Sequence, residues 1–222
     1  MNKIFGATWI ITVLLSVLAM SSAIAANFRI GYFEIGHNER YEAVFQAFLK
    51  TLKDRGWENK LEFPSEVHIS VKDTGDTPEA IAEQNGKAKE LLDRTDIDAI
   101  IVMGTFGTDA ILSGYDGRLP IFAEVVTDAI KEGFVPNEND SGKDNFTVSI
   151  APDRYKNMFR IFHEEVSFKT LGIMYSKTHE RNKESNTDDA EMIAQERDFI
   201  TISYDLSEHQ LEDNTAGCLE GL

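Results

Sequence analysis

The alternation of strand-like and helix-like segments constrains the fold of this chain more than any other feature. Short apolar runs typical of strands begin at Phe28, Glu66, Asp98 and Pro120, and helical patterns lie between them. The run at 98–103 is almost continuous in apolar residues, which is typical of a strand buried on both faces of a parallel sheet. Strands and helices that alternate at this spacing predict an α/β fold, with a parallel sheet flanked by helices and joined by right-handed crossovers.

A shorter stretch of the same pattern follows a polar loop. Residues 136–145 are rich in Asn, Asp, Ser and Gly, which indicates a loop and a domain boundary. Residues 146–150 are compatible with a strand or a linker, and one further βαβ unit follows. Because a single unit does not close a sheet of its own, we predict a complete first α/β lobe at 26–145 and a partial second lobe at 146–206. The acidic segment at 207–222 is predicted to be a loose tail.

The N-terminal residues have the three parts of a secretory signal peptide. Lys3 precedes an apolar run at 4–20, and the small residues Ala23-Ile24-Ala25 close the segment. This pattern predicts a signal peptide at 1–25, cleaved near Ala25, and a periplasmic destination. An uncleaved membrane anchor is the alternative, since the apolar run borders on the length that spans a bilayer. Beyond it no apolar run is long enough, so we expect no stable membrane insertion after cleavage.

The charge of the chain excludes some classes of partner. The formal net charge is -16, and removal of Lys3 with the signal peptide makes it one unit more negative. Such a field repels phosphate backbones and anionic lipid, so nucleic-acid and membrane-surface roles are not expected. Cys218 is the only cysteine, so an intramolecular disulfide is excluded.

Residue patterns typical of metal sites and enzymes are not found. The five histidines are scattered, without a second His or Cys at metal-ligand spacing. Ser149 and Ser176 lack the Gly-x-Ser-x-Gly context of a nucleophile elbow, and Cys218 lies in the acidic tail. We therefore predict a binding protein rather than an enzyme, with no metal and no cofactor.

The segment from Gly104 to Thr108 is the best candidate for a ligand site. In open parallel α/β sheets ligands bind beyond the carboxyl ends of the strands, and this Gly-Thr-Phe-Gly-Thr turn follows the third apolar run. Its glycines permit close backbone approach, and Thr105 and Thr108 place hydroxyls beside helix N–H groups, which suits a carboxylate or another small anion. Phe106 would supply an apolar or stacking wall. The alternative is that Thr108 or Asp109 only caps a short helix at 109–113.

Three further polar residues follow strands at the same edge. Glu34 and His37, just past the first strand, are candidates to contact an ammonium or hydroxyl group of a ligand, or else are solvated turn residues. Asp128 follows a buried strand and is expected either to hold a ligand ammonium or to cap the segment after it.

The order of several short motifs resembles a known family. The motifs are Ile30-Gly31, the run 98–102 into Gly104-Thr105, Leu119-Pro120-Ile121-Phe122, Val126-Thr127-Asp128, Gly133-Phe134-Val135, Asn145-Phe146-Thr147-Val148 and the segment 171–176. Over most of 28–204 the chain resembles the periplasmic substrate-binding proteins of ABC transporters, of the kind that includes tryptophan- and tyrosine-binding members. The resemblance implies a type I periplasmic-binding-protein-like fold in which two lobes close over a small organic ligand, such as an amino acid or another carboxylate. It also implies an ABC permease in the inner membrane as partner.

The same resemblance assigns roles to individual residues. Thr105 and Phe106 would line the first-lobe side of a cleft with Asp128 nearby, the crossing at 145–148 would be a hinge, and Ser176 would face the cleft from the second lobe. Ala129 departs from the family, which usually has proline there. The chain also ends at Leu222, after only the first βαβ portion of the second lobe. A sensory or partner-binding module of the same fold, or a truncated product that binds no ligand, are the alternatives to solute uptake.

Overall fold

The structure, a computed structural model, describes residues 27–75, 77–175 and 186–205. Parallel strands alternate with helices in it, so the predicted α/β class is confirmed. The elements, in chain order, are β1 (Phe28–Ile35), α1 (Glu39–Asp54), β2 (Leu61–Glu62), a 3-10 turn (Ser65–Val67), β3 (His68–Val71), α2 (Pro78–Leu92), β4 (Ala99–Met103), α3 (Gly104–Ser113), β5 (Ile121–Glu124), β6 (Phe146–Val148), α4 (Arg154–Val166), β7 (Thr170–Tyr175), α5 (Thr187–Arg197) and β8 (Ile200–Asp205).

The first sheet is entirely parallel, and its strands lie in the order β3-β1-β4-β5-β6. The short strand β2 pairs with the first residues of β1, ahead of β3. All five residues of β4 are buried, as expected for a central strand covered on both faces. The carboxyl ends of β1, β4 and β5 therefore meet at one edge of the sheet, from which the loops and helix N-termini of the candidate site project.

The two faces of the first sheet are covered unequally. On one face, Phe33, Ile100 and Ile121 belong to the main core, which includes Leu91 of α2 and Ile111 of α3. On the other face, Ile30, Tyr32, Ile101 and Met103 pack with Phe45 of α1. Two helices thus contribute to the first core and one helix to the second.

Two local details differ from the expectations from sequence. The helix predicted at 109–113 begins at Gly104, so the glycine-threonine turn expected as a loop is the first turn of α3. Gly104 has φ +81°, a left-handed conformation that lets the chain pass from strand to helix without an intervening loop. The strand at Phe146–Val148 pairs with β5, so this segment, taken as the start of the second lobe, is hydrogen-bonded to the first sheet.

The second unit is a small parallel pair of strands with two helices. Strands β7 and β8 pair over six residues, and Ile193 and Phe199 are buried members of an apolar cluster in this unit. Helices α4 and α5 are joined by an ion pair between Arg160 and Glu196, with Nη2–Oε2 2.7 Å. Nζ of Lys131, after β5, lies 2.7 Å from Oδ2 of Asp189 in α5 and so links the two units. Among the described helices, none has the length and apolarity required to span a bilayer.

Candidate functional site

A cavity of about 500 Å³ lies at the carboxyl edge of the first sheet. We call it the α1–α3 cavity, because the N-terminal turns of these two helices form most of its wall. It is lined by Asn38, Glu39, Arg40, Tyr41, Thr105, Phe106, Val125 and Thr127. Its volume is within the range of roughly 300–1,000 Å³ that small-molecule sites occupy. All eight residues belong to the helices of the first sheet or to the segments that connect them to its strands.

Two helix N-termini contribute to the wall of the cavity. Helix α1 begins at Glu39 and α3 at Gly104, and backbone N–H groups of first turns carry partial positive charge. Asn38 caps α1, because its Oδ1 accepts hydrogen bonds from the N–H groups of Arg40 at 3.0 Å and Tyr41 at 3.1 Å. The cap of α3 is Met103, which provides no side-chain hydrogen bond. The guanidinium of Arg40 adds a full positive charge at the exposed side of the cavity.

Thr105 joins the start of α3 to the segment after β5. Its Oγ1 accepts a hydrogen bond from the backbone N–H of Thr127 at 3.1 Å, and the residue is only 5% exposed. The two walls of the cavity are therefore fixed relative to each other by a buried contact. Phe106, the next residue, is half-buried and packs against the main core while it lines the cavity. Thr105 and Phe106, both expected from the sequence to line a ligand site, thus lie together in the same wall.

Tyr41 closes the cavity over the start of α3. A Cβ atom at residue 104 would overlap the phenol oxygen of Tyr41, so only glycine leaves room for the ring in this position. Val125, on the other side, has φ +59°, a left-handed conformation that β-branched residues rarely adopt. Such strain costs about 1–3 kcal/mol and is found most often at functional sites, where the surrounding structure holds it.

Glu34, near the end of β1, lies in a buried hydrogen-bond network. Its carboxylate accepts hydrogen bonds from Tyr32 Oη at 2.7 Å and Ser70 Oγ at 2.7 Å, and His37 Nδ1 is 2.8 Å from Oε1. The residue is 1% exposed, so it is not the solvated turn residue that was one of its two expected roles. Burial acts to raise the pKa of Glu34, but the three hydrogen bonds outweigh it and hold that pKa below its ordinary value.

The network positions the loop that leads into α1. His37 is largely exposed, with 61% of its side chain accessible, yet its ring is tied to Glu34. The next residue is Asn38, the cap of α1 and part of the cavity wall. Glu34 and His37 are thus in place to support the wall of the cavity, although neither belongs to its lining.

The remaining predicted site residues lie elsewhere. Thr108 is fully buried inside α3, where its Oγ1 donates to the carbonyl of Gly104 at 2.8 Å instead of capping the helix. Asp128 caps the turn after it, because its Oδ1 accepts from the N–H groups of Ile130 at 3.2 Å and Lys131 at 3.0 Å. Ser176 lies outside the described residues.

Six of the eight residues that line the cavity were not selected as site residues from the sequence. Asn38, Glu39, Arg40 and Tyr41 form the first turn of α1, and Val125 and Thr127 follow β5. The signal that finds them is topological, because each helix of a parallel α/β sheet begins at the same edge where the strands end. In the described ranges, no group of three or more His, Cys, Asp or Glu side chains is placed to hold a metal ion.

Glu124, at the end of β5, is half-buried near this edge. Burial raises its pKa, and a hydrogen bond with Ser149 opposes that shift only in part. The carboxyl lies at the border of an apolar groove on the α1 face of the sheet rather than in the α1–α3 cavity. It is therefore not part of the candidate ligand site.

Comparison with known proteins gives matches at the level of structure. No family model and no curated protein matches the chain. The L-Trp complex of an ABC domain from Streptococcus pneumonia is similar, with 15% identity and a TM-score of 0.63. The match covers 81% of this chain and 57% of that protein. A second match is the ligand-free, open structure of a substrate-binding protein with adhesive properties from Clostridium difficile. It has 18% identity and a TM-score of 0.53, and the match covers 81% of this chain and 58% of that protein.

A third solved structure is more distant but has the same fold. It is a solute-binding protein of an ABC transporter from Rhodopseudomonas palustris BisB5 in complex with 3,4-dihydroxybenzoic acid, at 13% identity and a TM-score of 0.52. It matches 82% of this chain, which covers 48% of its length. The predicted resemblance is thus confirmed in the fold, and the chain spans about half the length of the structures that it matches. This chain has the fold of the solute-binding proteins of ABC transporters.

Proposed function

We propose that the chain is a periplasmic solute-binding component of an ABC-type uptake system and that it binds a small carboxylate-bearing solute in the α1–α3 cavity. The observation that carries the proposal is the convergence of two helix N-termini and Arg40 on one cavity of about 500 Å³. Helix N-termini and a guanidinium both favour a carboxylate, and a planar guanidinium is able to bind it bidentately.

The walls of the cavity suggest the remainder of the solute. Tyr41 and Phe106 are aromatic and Val125 is aliphatic, so an apolar or aromatic body fits beside the polar end. The two ligands named for similar structures, L-Trp and 3,4-dihydroxybenzoic acid, both combine a carboxylate with an aromatic ring. Glu39 at the rim offers a carboxylate for a ligand ammonium, which favours an amino acid within this class.

The lobes, partners and destination belong to the same proposal. The first lobe at 26–145 would hold the α1–α3 cavity, and Ser176 in the partial second lobe would contact the solute from the other side. Cleavage near Ala25 would release the chain into the periplasm, where an ABC permease would be its partner. Similar structures are binding proteins, which supports a binding role rather than catalysis. Mass spectrometry of the exported chain tests the cleavage, since a mass that includes residues 1–25 contradicts it.

Thermal-shift screening tests the proposed ligand class. The purified chain is heated with amino acids and aromatic carboxylates, because a ligand that binds only the folded state raises its stability. We expect a shift with at least one carboxylate and a much smaller one in Arg40→Met. The control is Arg55→Met, which removes an arginine at the opposite end of α1. Absence of a shift with every solute, or equal shifts in the two variants, contradicts the proposal.

A further inference from the structure

The α1 face of the first sheet is incompletely covered. Strands of parallel sheets are normally buried on both faces, yet Phe122 of β5 is 46% exposed. A groove of about 490 Å³ runs along this face, and we call it the Phe122 groove. Its sheet side includes Ile101, Met103 and Phe122, and its other side includes Val44 and Leu52 of α1.

The groove is an apolar surface large enough to need an explanation. Phe48 and Trp57, which also line it, are 36% and 50% exposed. Single exposed apolar residues are common, but a contiguous group of large ones on a folded protein marks an interaction site. The shape between one helix and an open sheet face is that of a groove for a second helix.

The apolar side of helix α4 is also exposed to solvent. Met158, Ile161, Phe162 and Val166 recur at helical spacing and are 45–59% exposed, and we call this row the α4 stripe. None of the thirteen residues of α4 is buried. Its polar side is occupied within the chain, where Arg160 pairs with Glu196 of α5.

The α4 stripe and the Phe122 groove match in length. The stripe extends over nine residues from Met158 to Val166, and the eight steps between them give a rise of about 12 Å. The α1 side of the groove extends over the same number of residues, from Val44 to Leu52. A single helix with this stripe therefore fills the groove along its whole α1 side.

Charge fixes the direction in which the helix fits. Glu124 borders the groove at the carboxyl edge of the sheet, and Arg154 is the first residue of α4. A helix docked with its N-terminus at this edge brings the guanidinium and the positive end of its dipole to the carboxyl group of Glu124. In that direction it runs antiparallel to the strands, as α1 does in the same face.

We propose that α4 of a second copy of this chain docks into the Phe122 groove. Within one chain the stripe and the groove are both exposed, so α4 does not cover the groove of its own chain. The segment 206–222 is a poor occupant, because its four acidic residues and lack of Lys or Arg oppose approach to Glu124. Two copies that exchange α4 form a closed dimer in which each groove is filled, and this assembly is independent of the proposed solute binding.

Light scattering after size-exclusion chromatography tests the proposal on the full chain, expressed with its own N-terminus. The expected mass is twice that of one chain at high concentration, falling towards one chain on dilution. Phe122→Ser in the groove and Ile161→Ser in the stripe are each expected to weaken the dimer about 10–100-fold. The control is Met192→Ser, an exposed residue of α5 outside both surfaces, which leaves the dimer unchanged. Circular dichroism checks folding, and alanine replaces serine where a variant does not fold.

Mixing the two variants separates specific docking from general apolar association. The Phe122→Ser copy keeps an intact stripe and the Ile161→Ser copy an intact groove, so a mixture restores one of the two contacts. The other contact of the mixed dimer carries both substitutions, but the second costs little once the first has removed the packing that they share. We therefore expect the mixture to dimerise more strongly than either variant alone. A monomer at every concentration, a dimer unaffected by both substitutions, or a mixture no stronger than its parts overturns the proposal.

Discussion

The phenol of Tyr41 occupies the space that a side chain at residue 104 would need. Gly104 starts α3 at φ +81°, and a Cβ atom there would overlap the Tyr41 hydroxyl. The glycine therefore has two separate roles, since it permits the left-handed backbone and admits the aromatic ring of α1. The two helices whose N-termini form the cavity are brought together at this contact.

Replacement of Gly104 by alanine is expected to displace Tyr41 and weaken solute binding. The backbone penalty alone is about 1–2 kcal/mol, because a left-handed conformation disfavours a Cβ atom. Gly117→Ala is the matched control, since Gly117 has φ +80° and nothing lies within 4 Å of the added atom. Both variants should lose this backbone contribution in chemical denaturation, and Gly104→Ala should lose additional stability because it also displaces Tyr41. If binding falls equally in the two variants, Tyr41 does not form the wall proposed for it.

The stability contributed by Glu34 is expected to disappear in acid. Its pKa in the folded state is held below the ordinary 4.5, because hydrogen bonds from Tyr32, Ser70 and His37 outweigh the opposing effect of burial. A depressed pKa contributes stability that is complete above 4.5 and is lost as the pH falls through the folded-state value. Glu34→Gln is thus expected to cost about 2 kcal/mol at neutral pH and progressively less below pH 4.5.

Urea denaturation at a series of pH values measures this difference. Glu83→Gln is the control, because Glu83 is exposed on α2 and its replacement should leave stability unchanged at every pH. Taking the difference between parent and variant removes the contribution of the other carboxylates, which titrate in both proteins. A cost of Glu34→Gln that stays constant down to low pH would show that the carboxylate charge is not what the network stabilises.

The ion pair between Lys131 and Asp189 is expected to couple the unfolding of the two units. The Asp189 side chain is 6% exposed and that of Lys131 is 30% exposed, so loss of the lysine leaves the more buried charge without this partner. Lys131→Met should therefore cost about 2 kcal/mol and Asp189→Asn less. Trp57 is the only tryptophan in the described ranges, so its fluorescence reports on the first unit. In Lys131→Met, unfolding followed by circular dichroism should begin at a lower denaturant concentration than unfolding followed by Trp57 fluorescence. If the two transitions coincide in that variant, the ion pair does not couple the two units.

Glu124→Gln is expected to stabilise the folded chain at pH values where Glu124 is ionised. Burial raises the pKa of Glu124 in the folded state, so its ionisation opposes folding increasingly as the pH rises from 4.5 through the folded-state value. The glutamine variant lacks this effect and should melt at a higher temperature at pH 8 than the parent, with a smaller difference at pH 4. A lower melting temperature at both values would indicate that the ionised carboxyl has a partner that stabilises it.

The strands and helices were predictable because their patterns depend on burial. The apolar run at 98–103 became the fully buried β4, and the Thr77-Pro78 start of α2 was visible in the sequence. The start of α3 was not, because the glycine-threonine turn has the composition of a loop and only the left-handed Gly104 turns it into a helix. Thr108 was misread for the same reason, since a hydroxyl expected at a helix start lies one turn inside it.

The sequence predicted the location of the candidate site, at the carboxyl edge of the sheet, but only some of the residues that line it. Thr105 and Phe106 were found because glycines mark close backbone approach beside them. Arg40 and Tyr41 were not, because Arg40 has the pattern of the exposed side of an amphipathic helix and Tyr41 that of its apolar side. What places them at the cavity is the position where α1 begins, after its cap Asn38, and the hydrogen bond between His37 and Glu34 holds the preceding loop.

Calorimetric titration with pairs of solutes that differ only in the carboxylate tests the central claim most directly. The pairs are L-tryptophan with tryptamine and 3,4-dihydroxybenzoic acid with catechol, and any acid found by thermal shift is paired with its own decarboxylated form. The account predicts saturable binding of at least one acid, and weaker binding by a factor of about 10 or more for the partner that lacks the carboxylate. Equal affinity within every pair, or no binding of any acid, would contradict a carboxylate site at the N-termini of α1 and α3.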